Sequence, residues 1–246
     1  MSADRIDNCS VCSVSLEYLE DKETLSCYFC GMQASTDVWC PEGHFVCESC
    51  YNMSVLDFID ETVRTSRATN PYDLASIMMT YPRLASYRNP CEHALVFAAA
   101  MLIAVKNEGT IKISSEDILI ALGTIQCDEN NLEFCGPDAA YGCCMRSGII
   151  ATFGTIFKAA EGDAEPDSVT VRVIRRVIKS LSDNTEQHKC LKNIVLTTMD
   201  LFTPIIQARF GVRLEGSAHE IICYQIGQAR DCSPTTCHYS PLLSAK

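Results

Sequence analysis

The sequence predicts a small zinc-binding module, of the cross-brace or treble-clef kind, followed by an all-α helical bundle. Three observations carry this prediction. Seven cysteines and one histidine fall between Cys9 and Cys50 in four short pairs. From residue 54 onward, apolar residues recur at helical spacing between recognisable caps. After residue 50 no period-two alternation stands out. The organisation expected is a two-zinc module over 1–53, a cysteine-rich all-α domain over 54–231 and an irregular tail over 232–246.

The module rests on Cys9/Cys12, Cys27/Cys30, Cys40/His44 and Cys47/Cys50. Three pairs have C-x2-C spacing and one has C-x3-H. A short C-x2-C turn lets two thiolates reach one tetrahedral ion at about 2.3 Å. Eight soft ligands fill two closed sites with no open position, the pattern of structural rather than catalytic zinc. Two pairings are open. The interleaved one joins Cys9, Cys12, Cys40 and His44, and separately Cys27, Cys30, Cys47 and Cys50. The sequential one takes the first two pairs, then the last two. The run "VCESCYNMSVLDFIDETV" favours interleaving, because Cys47 and Cys50 lead directly into a helical pattern. So small a segment has almost no apolar core and folds only with its metal.

Composition sets the bounds. The 246 residues fit one metal module and one ordinary domain, and 47% apolar content supplies a core. The formal net charge is −11. Seven thiolates and two Zn2+ ions would bring it to about −14. Such a chain repels phosphate backbones, so nucleic acid is not an expected partner. The basic cluster Arg172, Arg175, Arg176 and Lys179 reads as a solvated helix face. The N-terminal "MSADRIDNCS" is polar and acidic, unlike a secretory signal. The longest apolar run, Ala94–Val105, is too short to span a bilayer. Sixteen cysteines without an export signal point to reduced thiols and a cytoplasmic protein with no membrane partner.

In chain order, 54–68 is expected as a helix with Val55, Phe58, Ile59 and Val63 on one face. Asn70 caps the next helix, with Pro71 in first position and Asp73 at the positive end. Asn89 and Pro90 repeat that arrangement, opening a helix that is apolar nearly all round and stops at Gly109. This helix is the expected centre of the domain. "SSEDILIALGTI" is a short capped helix, and 127–135 an acidic loop. A long helix follows Gly136 and Pro137, with Gly142, Gly148 and Gly154 along it. Glycines there suggest close approach by a neighbour or a cofactor. After the turn "EGDAEPDS" come an amphipathic helix over 169–181, a helix over 185–202, and a shorter one from Pro204 to Gly211. Ser217 and Glu220 have capping-box spacing.

Nine further cysteines lie outside the module: Cys91, Cys127, Cys135, Cys143, Cys144, Cys190, Cys223, Cys232 and Cys237. Singly, each packs well as a small hydrophobe, and Cys223 in "EIICYQI" reads as core. Together they are harder to dismiss. Cys91 stands in the first turn of its helix and Cys135 just before a helix start, where free amides and the helix dipole favour thiolate. Glu92 can orient His93, which could ligate metal or move protons. Cys143 and Cys144 are adjacent and predicted mid-helix, so their side chains diverge by about 100°.

Residues 9–50, together with "EHALV", "CGPDAAYGCC…GIIATFGTIF" and "HKC", resemble an uncharacterised prokaryotic domain family with the same eight-ligand N-terminal module. Some members are joined to methyltransferase-like or radical-enzyme-like domains. The helical part is distantly similar to a redox-associated family named for its C-GCAxxG-C-C pattern. The resemblance implies Glu92, His93, Cys135, Cys143 or Cys144, and Cys190 as site residues, and a partner of methyltransferase- or radical-enzyme-like type. In this chain Ala94 stands where the family has a second histidine, and the Cys135–Cys143 spacing is wider.

Two functions follow. The first is a metal-binding redox or sulfur-handling protein with two structural zincs and a second site drawn from Cys91, Cys135, Cys143, Cys144 and Cys190. That site is a candidate for a [4Fe–4S] cluster or a reactive thiol set. The second is a non-enzymatic adaptor whose zinc module docks a partner enzyme. No phosphate-binding loop, dinucleotide fingerprint or nucleophile elbow is present in the sequence.

Overall fold

The computed structural model describes residues 8–84, 90–125, 144–183, 190–221, 223 and 239. Cys135 and Cys143, the caps at Asn89, Gly136 and Pro137, the acidic loop, Gly142 and nearly all of the expected tail lie outside them. Among the described residues are eight α-helices and one two-stranded sheet. No described helix is long and apolar enough to cross a membrane.

The N-terminal module contains a hairpin that the sequence reading did not anticipate. Strand β1 (Glu17–Ser26) pairs antiparallel with β2 (Gln33–Trp39), from Glu17 opposite Trp39 to Ser26 opposite Gln33. Its turn carries Cys27 and Cys30 and is closed by the Cys27 amide donating to the Met32 carbonyl at 2.8 Å. Most strand residues are exposed or half-exposed on both faces. No buried face exists to impose alternation, so the pattern that announces a strand is missing.

Helix α1 (Glu48–Asn52) starts at Cys47, and α2 (Val55–Thr65) starts at Ser54, whose hydroxyl accepts from the Asp57 amide. Helix α2 buries Val55, Phe58, Ile59 and Val63, the face that the spacing predicted. Helix α3 (Pro71–Met79) is capped by the Asn70 side chain, as expected. Helix α4 (Pro90–Glu108) is buried from Ala94 through Val105 and touches five other helices, which makes it the centre of the core. Gly109, at φ 89°, follows its end. Helix α5 (Ser115–Gly123) opens with a full capping box between Ser114 and Asp117. Helices α6 (Cys144–Glu161), α7 (Ser168–Asp183) and α8 (Leu191–Phe210) complete the bundle. Arg172, Arg175, Arg176 and Lys179 are exposed on α7.

Two local expectations fail. The helices expected over 185–202 and 204–211 are one helix, α8, with Pro204 inside it and Gly211 (φ 71°) ending it. An interior proline costs about 3 kcal/mol or more. Phe202, Thr203 and Ile206, buried on either side of an exposed Pro204, give the helix a continuous packed face that offsets the cost. Ser217 makes no side-chain cap bond, and only the 3-10 turn Ala218–Glu220 follows it. In the tail, Tyr239 is buried and its carbonyl accepts from the Cys223 amide at 2.8 Å.

The helix directions matter for the site. Phe97 meets Phe202 (centroids 5.7 Å apart), Met101 meets Thr203, and Glu108 accepts from the Arg213 amide at 3.1 Å, so α8 runs parallel to α4. Gly148 lies against Ala94, while Phe153 and Phe157 lie against Phe210 and Glu161 pairs with Arg209. Helix α6 therefore runs the same way. All three begin at one end of the bundle.

Candidate metal centres and a cluster of thiols

Local sequence builds two similar knuckles. The Ser13 amide donates to the Cys9 carbonyl and the Gly31 amide to the Cys27 carbonyl, each at 2.8 Å. Ser13 (φ 67°) and Gly31 (φ 72°) both turn left-handed just after their C-x2-C pairs. Backbone amides then reach sulfur: Val11 to Cys9 at 3.4 Å, Cys47 to Cys27 at 3.4 Å, and Cys50 to Cys47 at 3.5 Å.

The ligating atoms gather into two groups, Cys9, Cys12, Cys40 and His44, and Cys27, Cys30, Cys47 and Cys50, with all atoms in a group within 4.8 Å of one another. The interleaved pairing is the observed one. Cys12 and Cys40 Sγ stand 3.6 Å apart, Cys30 and Cys47 Sγ 3.7 Å, and Cys40 Sγ is 3.8 Å from His44 Nδ1. A regular tetrahedron with metal–sulfur bonds of about 2.3 Å has edges of about 3.8 Å. Each group is therefore shaped for one four-coordinate ion.

Crowding the ligating sulfurs, three in one group and four in the other, splits their proton affinities. Burial, the largest influence, pushes the Cys12 thiol up to about 12 and raises Cys50 as well, with neighbouring sulfurs adding to both. Burial also acts to raise Cys27, yet the Cys30, Cys47 and Phe29 amides outweigh it and bring that thiol down to about 7. Burial lowers His44 and so favours the neutral imidazole that a metal needs. Protons and a divalent cation thus compete for the same crowded sulfurs.

The second centre is tied to the bundle. Phe29, between Cys27 and Cys30, packs edge-on to Phe58 and Tyr81, both at 5.4 Å between centroids. Phe58 and Tyr81 stack at 3.9 Å. The Tyr81 hydroxyl lies 2.6 Å from the Cys50 carbonyl and 2.7 Å from that of Met53, able to donate to either.

In the bundle, the shared end of α4, α6 and α8 collects most of the described candidates. Cys91, Glu92 and His93 occupy the first turn of α4, Cys144 stands at residue 144 in α6, and Cys190 is the N-cap of α8. His93 and Cys144 are each 1% exposed. Cys91 is disulfide-bonded, where a thiolate was expected. Among the described residues, only the two N-terminal groups bring three or more ligating atoms together. The described part of the bundle therefore does not itself assemble the ligand set of a cluster.

Two residues at this end escaped the sequence reading. Lys192 is 6% exposed, and burial, the dominant influence, lowers its pKa against the opposing charges of Cys223 and Cys190. Cys223, expected simply as core, packs at the core's edge within electrostatic reach of both Cys190 and Lys192. Burial likewise raises the Cys190 thiol, while the Asn193 and Lys192 amides and the Lys192 ammonium pull it down. The only local signal was a lysine two residues after "HKC".

A protein-family model described as "Family of unknown function (DUF5714)" matches residues 59–240. The match begins within α2 and takes in the rest of the described bundle, while all eight candidate metal ligands precede it. No curated protein and no solved structure matches the chain.

Proposed function

The chain belongs to this family of unknown function, and we propose that within it the protein acts as a zinc-stabilised thiol redox or sulfur-handling protein. In this reading two Zn2+ ions hold the N-terminal module, and the cysteines at the shared helix end do the chemistry. Zinc is supported by donor type, the tetrahedral spacing of sulfurs and the absence of an open position in either group. When bound, the ions supply structural cross-links. The module's residues would hold them through seven thiolates and His44 Nδ1.

The observation that carries the redox reading is the parallel start of α4, α6 and α8. It brings a disulfide-bonded Cys91, a buried His93, Cys144 and Cys190 to one end of the bundle. At the start of α8 burial raises the Cys190 thiol, and the Asn193 and Lys192 amides work against it. An adaptor role has its own support in the module's exposed Val14, Tyr18, Tyr28, Met32 and Tyr51.

The test is oxygen-free purification, followed by zinc, iron and acid-labile sulfide analysis and a thiol count across a graded series of redox buffers. Two zincs per chain and a Cys91 disulfide that opens and closes reversibly support the proposal. Iron and sulfide in addition would extend it to a [4Fe–4S] cluster. Two zincs beside a Cys91 disulfide and thiols that respond to no buffer would replace it with the adaptor.

A further inference from the structure

We propose that Cys30 is a modification site for disulfides. It is the sulfur through which they enter the second metal group, and its bond to Cys47 expels the ion and frees Phe29 from the bundle. The proposal rests on the zinc part of the reading above and adds to it a reactant class and a reversible release of metal.

Three observations support it. The first is exposure. Cys9, Cys12, Cys27, Cys40, Cys47 and Cys50 are buried and His44 is half-buried, but Cys30 is exposed. It stands on the hairpin turn with Tyr28 and Met32, themselves 38% and 51% exposed. The second is a partner at hand, because Cys47 Sγ lies 3.7 Å from Cys30 Sγ. A disulfide needs about 2.05 Å between sulfurs, whereas four donors on one ion hold them about 3.8 Å apart. Disulfide and bound ion therefore exclude one another. The third is position. Phe29, between Cys27 and Cys30, packs edge-on against Phe58 and Tyr81, and the Tyr81 hydroxyl lies 2.6 Å from the Cys50 carbonyl. The exposed sulfur thus belongs to the ion whose loop touches the bundle. In the first group all three cysteines are buried, which offers disulfides no comparable entry.

The chemistry is thiol–disulfide exchange. Coordination to a divalent ion keeps Cys30 as thiolate, so it attacks without first losing a proton. It attacks one sulfur of a disulfide RSSR. The S–S bond breaks, Cys30–S–SR forms, and RS− leaves and takes a proton from solvent. The Cys47 thiolate then attacks Cys30 Sγ and displaces the second RS−, which is protonated in turn. One RSSR is reduced to two RSH as two protein thiolates are oxidised to a disulfide. With two of its four donors gone, the ion passes to solvent. Reduction of the Cys30–Cys47 bond in the presence of Zn2+ restores the group.

The experiment uses the full zinc-loaded chain, reduced and then freed of reductant. Glutathione disulfide is added in steps and released zinc is followed with a chromogenic chelator. Samples are quenched by alkylation, sulfurs are mapped by peptide mass spectrometry, and Tm is read by circular dichroism. One of the two zincs should leave first, as a Cys30–Cys47 disulfide forms and Cys9, Cys12 and Cys40 stay open to alkylation after unfolding. Tm should fall with that first zinc and recover with reductant and Zn2+. Cys30→His keeps a zinc donor but has no sulfur to oxidise, so it should retain both ions under the same treatment. The wild-type map decides the matter even if that variant loads poorly. Oxidation that begins at another sulfur, closes Cys30 onto a sulfur other than Cys47, or leaves Tm unmoved overturns the proposal. Two zincs that stay bound beside an unmodified Cys30 overturn it alone. Fewer than two zincs in the untreated chain would instead sink the zinc reading on which it rests.

Discussion

A Cβ on Gly148 would stand 3.2 Å from the Ala94 carbonyl oxygen and 3.5 Å from both Ala94 Cβ and the Phe97 ring. The carbonyl belongs to the most deeply buried helix and has little room to move. Gly148→Val should therefore cost about 1–3 kcal/mol through overpacking. Gly154, two turns on, has nothing within 4 Å of the same construction and is exposed. Gly154→Ala should gain up to about 1 kcal/mol from helix propensity. Urea midpoints for the two variants should move in opposite directions, and a shared direction would contradict this packing. Gly31 is constrained differently. It has open space around it but φ of 72°, so Gly31→Val should cost roughly 1–2 kcal/mol of backbone strain and weaken metal retention by its knuckle, read by chelator competition.

At the scale of elements, caps show how far local rules reach. The Ser114 hydroxyl accepts from the Asp117 amide at 3.1 Å while the Asp117 carboxylate accepts from the Ser114 amide at 3.0 Å. Ser114→Ala should cost about 1 kcal/mol in thermal or urea unfolding. The Ser114 hydroxyl and amide hold the Asp117 carboxyl below its ordinary range. Its stabilisation is therefore complete above the unfolded carboxyl value and fades as pH falls through the folded one. The stability gap between wild type and Asp117→Ala should shrink over that acidic window and stay constant above it. Caps such as this, the Asn70–Pro71 start and the α2 face were legible because each is decided within four residues. The interleaved metal pairing was favoured over the sequential one, since Cys47 and Cys50 lead into a helix, and the fold decides for it. What was not legible is decided at a distance. The hairpin has no buried face to mark it, Pro204 is overruled by packing against α4, and the burial of Lys192 has no local signature.

Over the whole molecule, the question is how far the metal module supports the bundle it precedes. Phe29 leaves the module to join Phe58 of α2 and Tyr81, and Tyr81 returns a hydroxyl to the Cys50 and Met53 carbonyls. The core around α4, by contrast, is closed by five helices without any metal ligand. Stripping the ions should unfold the module, because its remaining apolar clusters consist largely of the ligating cysteines themselves. The bundle should survive but lose the Phe29 contacts and the Tyr81 hydrogen bond. Aromatic pairs contribute about 0.5–1.5 kcal/mol each, and a buried hydrogen bond about 1 kcal/mol. The loss of about 2–4 kcal/mol corresponds to a fall in Tm of roughly 4–16 °C for a domain of this size. Circular dichroism should show the helical signal of the chelated protein retained at 25 °C and melting earlier. Tyr81→Phe should lower Tm in the metal-loaded protein and narrow the gap between loaded and stripped forms, because part of the link is already gone. An unchanged Tm on chelation would mean that the aromatic bridge transmits nothing. Complete loss of helix would mean that the bundle core cannot stand without the metal.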